Sequence, residues 1–176
     1  MSRDILFDHG NARFSYRISA LIVQQGRVLL QCPVGTRDFA FIGGHVAFGE
    51  TAKETLIREI REEIHADAQI GKMAAVGEVY IDWGNLPDGS PRHCHQIGLY
   101  FRTTVDETQL PAGDRFFGYD EAGGEKFSIE YIWMPLEALK TITVYPPEVA
   151  QHLLEGAGDV LHFTYTELPD DTVWPE

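Results

Sequence analysis

Across residues 13–23 apolar side chains fall loosely on alternate positions: Phe14, Tyr16, Ile18, then Leu21 and Val23. Period two marks a strand with one face buried, so this stretch predicts a long strand. Gln25-Gly26 is a turn signal, and residues 27–31, with Val28, Leu29 and Leu30, read as its hairpin partner. A short apolar run over 39–42 ends at Gly43-Gly44. Over residues 50–64 the period changes. Ile57, Ile60 and Ile64 fall at i, i+3 and i+7 with Leu56 beside them, which predicts a helix with one apolar stripe facing the core. Thr51 caps this helix, and Glu54 three residues on completes a capping box.

Residues 73–81 predict a further strand. The segment 82–92 holds Gly84, Pro87, Asp88, Gly89, Ser90 and Pro91 and predicts a loop. Residues 93–104 return to a strand, with Ile97, Leu99 and Phe101 on one face. The stretch 109–127 is long, Gly-rich and irregular, and reads as a functional or mobile loop. Residues 129–133 read as a strand. Pro135 opens a short helix with Leu136 and Leu139 inward, and Pro147 opens another that runs through Leu154 and ends at Gly156. The tail 160–168 adds an edge strand. Strands, one helix, more strands and then C-terminal helices imply a mixed sheet with helices against it. Strand and helix do not alternate regularly, which disfavours a doubly wound parallel fold. Without repeats, low-complexity tracts or linkers, residues 1–176 read as a single domain.

Composition adds little to this and excludes much. With 176 residues, 44% hydrophobic and 23% charged, the chain buries enough surface to fold without disulfides or structural metal. Cys32 and Cys94 stand far apart, outside any metal or redox spacing, and read as two reduced, buried thiols. Residues 1–10 carry Arg3, Asp4, Asp8 and His9 and no apolar run suited to export. No stretch approaches the roughly 20 apolar residues that span a bilayer. A cytoplasmic location is therefore expected, with no membrane partner. The net charge of −13 repels nucleic-acid backbones, so duplex nucleic acid is not an expected partner.

Within the 50–64 helix, Glu59, Glu62 and Glu63 fall at i, i+3 and i+4 and share a face away from the isoleucines. Like charges at these spacings cost a few tenths of a kcal/mol per pair. Arg58, one turn before Glu62, and Arg61 offset part of that. The face is either a solvated, arginine-laced surface or a divalent-cation site, since hard cations take clustered carboxylate oxygens. Helix spacing alone leaves both readings standing.

The flanking residues decide. From Gly44 the chain runs five residues to Glu50, seven more to Arg58-Glu59-Ile60, then one to Glu62-Glu63, after an opening Gly43-Gly44-His45-Val46-Ala47-Phe48-Gly49-Glu50-Thr51. Residues 44–66 thus resemble the box of the Nudix hydrolases, and Trp133-Met134-Pro135-Leu136-Glu137 is similar to the family's later half. The resemblance implies an α/β class, an α/β/α sandwich with a mixed central sheet. It implies magnesium-dependent hydrolysis, with manganese as an alternative ion, of a diphosphate bond in a nucleoside diphosphate derivative. Nucleoside or deoxynucleoside triphosphates, nucleotide sugars, ADP-ribose and dinucleoside polyphosphates all stay open. Glu59, Glu62 and Glu63, helped by the Gly43 carbonyl, would bind the metal. Glu50 would assist there or hold Arg58, which would orient the glutamates. Two positions depart from the family: His65 stands where glycine usually ends the helix in a left-handed conformation, and Ala66 where a bulkier aliphatic is usual. Histidine tolerates that conformation better than most residues.

A carboxylate outside the box often completes such a site in the family. Glu130 is a candidate, as are Asp120, Glu121 and Glu125. Trp83 and Phe117 are candidate substrate contacts; with Tyr80, Phe116 and Tyr119 they place aromatic faces where a base could stack, or anchor the loops. His93 and His95 share one strand face, but no third zinc ligand stands at a telling spacing. The rival reading is a Nudix-like module that senses a nucleotide without cleaving it; such modules commonly lose box glutamates, and this chain keeps them. Small enzymes commonly pair, which makes a homodimer the expected assembly.

Overall fold

The structure, a computed structural model, describes residues 4–122, 125–156 and 158–175, with the side chains of 120–126 outside the described set. Strands β1 (Leu6–His9), β2 (Ala12–Gln24), β3 (Arg27–Pro33) and β4 (Phe39–Ala40) precede helix α1 (Ala52–Ile64). Then come β5 (Ala68–Asn85), β6 (Pro91–Val105), β7 (Arg115–Ala122) and β8 (Glu125–Pro135). A 3-10 helix (Leu136–Lys140), β9 (Val144–Tyr145), α2 (Pro147–Glu155) and β10 (Leu161–Thr166) complete the order. The sheet runs β10-β5-β6-β2-β3-β4-β9, with β1 paired to β2 and the β7–β8 hairpin paired to β3. It is mixed: β2 with β6 and β10 with β5 are parallel, whereas β5 with β6 and β3 with β8 are antiparallel.

Helices cover both faces, so strand alternation divides each strand between two cores. Ile18, Ala20 and Ile22 of β2 pack with Leu56, Ile60 and Ile64 of α1. Leu21 joins Val149, Ala150 and Leu153 of α2 on the other face. Val28, Leu29 and Leu30 are all fully buried, and a strand covered on both faces needs this unbroken apolar run. The α/β/α sandwich with a mixed sheet is the architecture observed. Among the described residues no helix is long and apolar enough to cross a membrane.

Three expectations need correction. The stretch 109–127 is not one long loop: β7 pairs with β8 in continuous register from Arg115↔Ile132 to Ala122↔Glu125. Its alternation is masked because Phe117 and Tyr119 are apolar yet exposed, while Gly118 faces inward. The loop expected over 82–92 shrinks to a turn, because β5 continues to Asn85 and β6 starts at Pro91. Leu86 N–H bonds Ser90 O at 2.8 Å across that turn. In α1, Ile57 is only half-buried, and the stripe is Leu56, Ile60 and Ile64 with Thr55. Steps of four keep that row over the sheet, and Ile57 lies at its margin.

Cys32 and Cys94 are both fully buried and unpaired. Burial pushes the Cys94 thiol up to about 11. Burial also raises Cys32, with the Glu130 charge adding to it. Because the thiolate is the reactive form, neither should react with a disulfide-exchange chromophore at pH 8 in the native protein. Both should react in guanidinium; a native-state stoichiometry of one would contradict this packing.

Candidate active site

Residues 42–46 run along β2 as an extra short strand. Ala20 N–H bonds Ile42 O at 2.8 Å, Ile18 N–H bonds Gly44 O at 3.0 Å, and Val46 N–H bonds Tyr16 O at 2.9 Å. At Gly43 the backbone of β2 leaves no room for a side chain, and at Gly44 a side chain would displace the Glu59 carboxylate. A Cβ on Gly43 would lie 2.0 Å from Ile18 O, and one on Gly44 would lie 2.4 Å from the Glu59 carboxyl carbon. Gly44 is thus the floor on which the Glu59 carboxylate rests, which ties the glycine end of the box to its helix.

The loop then delivers Glu50 and the cap. Thr51 Oγ1 accepts from Glu54 N–H at 3.3 Å, and the Glu54 carboxylate accepts from Thr51 N–H at 2.8 Å, the expected capping box. At the far end His65 adopts the left-handed conformation, φ 56°, in place of the usual glycine. Its Nδ1 lies 3.1 Å from Arg61 O.

Between these ends Arg58 gathers the carboxylates. Its Nη1 donates to Glu59 Oε1 at 2.7 Å and to Glu62 Oε2 at 3.0 Å, and its Nε donates to Glu50 Oε2 at 3.2 Å. Thr55 Oγ1 donates to the same Glu50 oxygen at 2.9 Å. Burial works against the Arg58 charge, but Glu59, Glu50 and Glu62 outweigh it and hold the guanidinium protonated. Burial pushes the Glu59 carboxyl above its ordinary range, Arg58 pulls it back, and the Glu62 charge adds to the rise. Glu63 accepts from the Tyr131 hydroxyl at 3.3 Å.

Gly43, Glu59, Glu62 and Glu63 all open on one cleft of about 930 Å³. The sequence-derived ligands are therefore brought to one wall, with Arg58 beside them and Glu50 behind Arg58. Among the described residues no three carboxylates already stand close enough to share an ion. The donor types nevertheless suit a hard divalent cation: three carboxylates, with the peptide of Gly43 on the same cleft. Glu62, with its side chain 60% exposed, has room to turn toward one.

Outside the box the expectations divide. Trp83 and Phe117 both line the cleft. Trp83 stacks on His45 with centroids 5.6 Å apart and planes at 17°, and the Arg13 guanidinium lies 5.4 Å from its ring. Phe117 is 63% exposed at the rim. Glu130 is not in the site. Ile129, Tyr131 and Trp133 face α1, so alternation turns Glu130 to the opposite face, where it pairs with Arg115 at 2.8 Å. The side chains of Asp120, Glu121 and Glu125 lie outside the described residues. His93 pairs with Asp82 at 2.7 Å, and His95 packs on Tyr80 at 4.5 Å, both as strand neighbours.

Sequence reasoning missed several residues of the cleft, among them Asp4, Arg17 and His45, and the fully buried Tyr131 that backs Glu63. Tyr131 was hidden inside a core strand, and Arg17 inside the alternation of β2. His45 sits in the box opening with no signal of its own. Burial, with Arg17 adding, lowers the His45 imidazole to about 4, so it is neutral at pH 7.

A family model described as the NUDIX domain matches residues 14–153. An ADP-ribose pyrophosphatase of Methanocaldococcus jannaschii is 40% identical over 76 residues, spanning 43% of this chain and 40% of that protein. The chain is similar in fold to a MutT protein of Bacillus halodurans, with TM-score 0.59 and 16% identity over 89% of this chain and 92% of that one. It is similar also to a NUDIX hydrolase of Nitrosomonas europaea, with TM-score 0.57 and 16% identity over 87% and 79% of the two chains.

Proposed function

We propose, from the premise that this chain belongs to the Nudix family, that it is a pyrophosphohydrolase cutting the diphosphate bond of a small nucleoside diphosphate derivative. The observation that carries this reading is the seating of Glu59 on Gly44. Glu59, Glu62, Glu63 and Gly43 line the same cleft, which supports the reading. Glu59, Glu62, Glu63 and the Gly43 carbonyl would hold a divalent cation, magnesium or manganese. Such an ion, when bound, screens the phosphates from the acidic wall and acidifies a water for attack on phosphorus.

The chain's own residues supply the positioning. Arg58 neutralises part of the charge of Glu50, Glu59 and Glu62 and fixes their side chains by hydrogen bonds to all three. Glu50, held by Thr55, keeps Arg58 from swinging into solvent. Tyr131 orients Glu63 through its hydroxyl. The products are a nucleoside monophosphate, or another phosphate, and the remaining half of the substrate, with no covalent intermediate.

The test is a magnesium-supplemented screen across nucleoside triphosphates, nucleotide sugars, ADP-ribose and dinucleoside polyphosphates, reading phosphate after coupling to a phosphatase. Release from at least one member, abolished by EDTA, is expected. Thermal stabilisation by a member of the panel with no release at saturating magnesium or manganese would sink the enzymatic reading and leave a binding module.

A further inference from the structure

The glutamate cluster already saturates Arg58, and Arg13 is paired with Asp8 at 2.7 Å. Arg17 is different. Its Nη2 makes one long contact, 3.5 Å to Gly43 O, and it has no ion-pair partner among the described residues. It is half-buried. Alternation along β2 puts it on the face of Leu21, away from α1. The short strand at Gly43-Gly44 separates it from Glu59, and it reaches round that edge to line the acidic cleft. It also lines a second cavity of about 440 Å³ on the α2 side, with Gln31, Gln96, Tyr145 and Tyr165.

The Arg17 charge reaches Glu59, but with no carboxylate in ion-pair contact among the described residues the half-buried guanidinium keeps its donors for an anionic partner. A diphosphate entering this cleft meets Glu59, Glu62 and Glu63 on a protein of net charge −13. One phosphate can be screened on the glutamate side of the Gly43-Gly44 edge. Its neighbour needs a positive group of its own, and a guanidinium fork matches two phosphoryl oxygens. We propose that Arg17 binds the phosphate of the substrate that is not attacked, so that the diphosphate straddles the Gly43-Gly44 edge and the group beyond it points into the second cavity. This assignment rests on the diphosphate reading above and adds to it a binding residue outside the box.

A contact to the phosphate that does not react is made equally in the ground and transition states, so its loss appears in KM and spares kcat. Arg17→Gln and Arg17→Lys are compared with the wild type on the best substrate of the screen. Manganese affinity is read by electron paramagnetic resonance and folding by thermal melts. For Arg17→Gln, KM is expected to rise about 10-fold to 100-fold, the usual loss for a charge-assisted hydrogen bond, with kcat within about threefold. Arg17→Lys should fall between, and manganese affinity and the melt should not move. An unchanged KM in folded Arg17→Gln overturns the proposal. So does a fall in kcat matched by a fall in manganese affinity, which would mean that Arg17 only places the Gly43 carbonyl. If the wild type cleaves nothing, the diphosphate reading fails separately. Calorimetric binding of ADP then still judges Arg17, and equal Kd values for wild type and Arg17→Gln overturn it.

Discussion

Replacing Glu62 with glutamine is expected to lower kcat by about a hundredfold to a thousandfold, the range for removing one electrostatic group at the reacting centre, while the fold stays intact. The two halves of this expectation have separate causes. The side chain is 60% exposed and pairs with Arg58 at 3.0 Å. An exposed i,i+4 pair is worth about 0.3–0.5 kcal/mol, which in a chain of this size moves the melting midpoint by roughly 1–2 °C. Glutamine keeps the length of the side chain, and Arg58 keeps Glu50 and Glu59 as partners. Nothing in the core touches the site of change. The loss should therefore be one of charge at the cleft wall, where the proposed cation would sit. Phosphate release by Glu62→Gln at the wild-type rate would mean that this carboxylate belongs to a solvated surface, the reading that helix spacing alone left open.

That ambiguity shows which part of the site was legible in the sequence. Spacing placed Glu59, Glu62 and Glu63 on one helix face, because the helical period is fixed by backbone geometry. It could not say what that face meets. The glycine end of the box supplies the answer: Gly44 is bare because the Glu59 carboxylate fills the space of its missing side chain. The departure from glycine at His65 left the helix exit open in the sequence, and the structure shows the histidine itself in the left-handed conformation. What was not legible depends on pairing between distant strands. Glu130 lies near the right elements in sequence, yet one step of strand alternation sends it to the other face. The hairpin of β7 and β8 escaped notice because its outward positions, Phe117 and Tyr119, are apolar, so no alternation of polarity announces it. Arg17 was invisible for a related reason: an arginine on a strand reads as solvent-facing until the cavity beneath it is known.

Arg58→Ala should be the most destabilising of the charge changes at this site, and its cost should depend on pH in a defined direction. The guanidinium lies among Glu50, Glu59 and Glu62. Of these Glu59 is well buried, with its side chain 17% exposed. Leaving a buried carboxylate without its partner costs about 2–3 kcal/mol at neutral pH once partial solvation is allowed for. Burial already raises Glu59 in the folded state above its ordinary value of 4.5, and Arg58 opposes that rise. Removing Arg58 lifts it further. Between the unfolded and folded values the native protein then holds more protons than the unfolded chain, so stability falls as pH climbs through that window. Below the ordinary value Glu59 is protonated in both states and the electrostatic penalty vanishes. Urea melts in EDTA should accordingly show a deficit for Arg58→Ala that is small near the acidic end of the native range and grows to its full size at neutral pH. A deficit of equal size at every pH would assign the loss to the packing of the arginine stem, not to charge. Magnesium or manganese should recover more stability in the variant than in the wild type. With the guanidinium gone, the glutamates are left to the divalent ion as their remaining cation, and binding to the folded state alone raises its stability by mass action. If neither ion narrows the gap, Glu59 and Glu62 are not cation ligands, and the chemistry proposed for this cleft loses its metal.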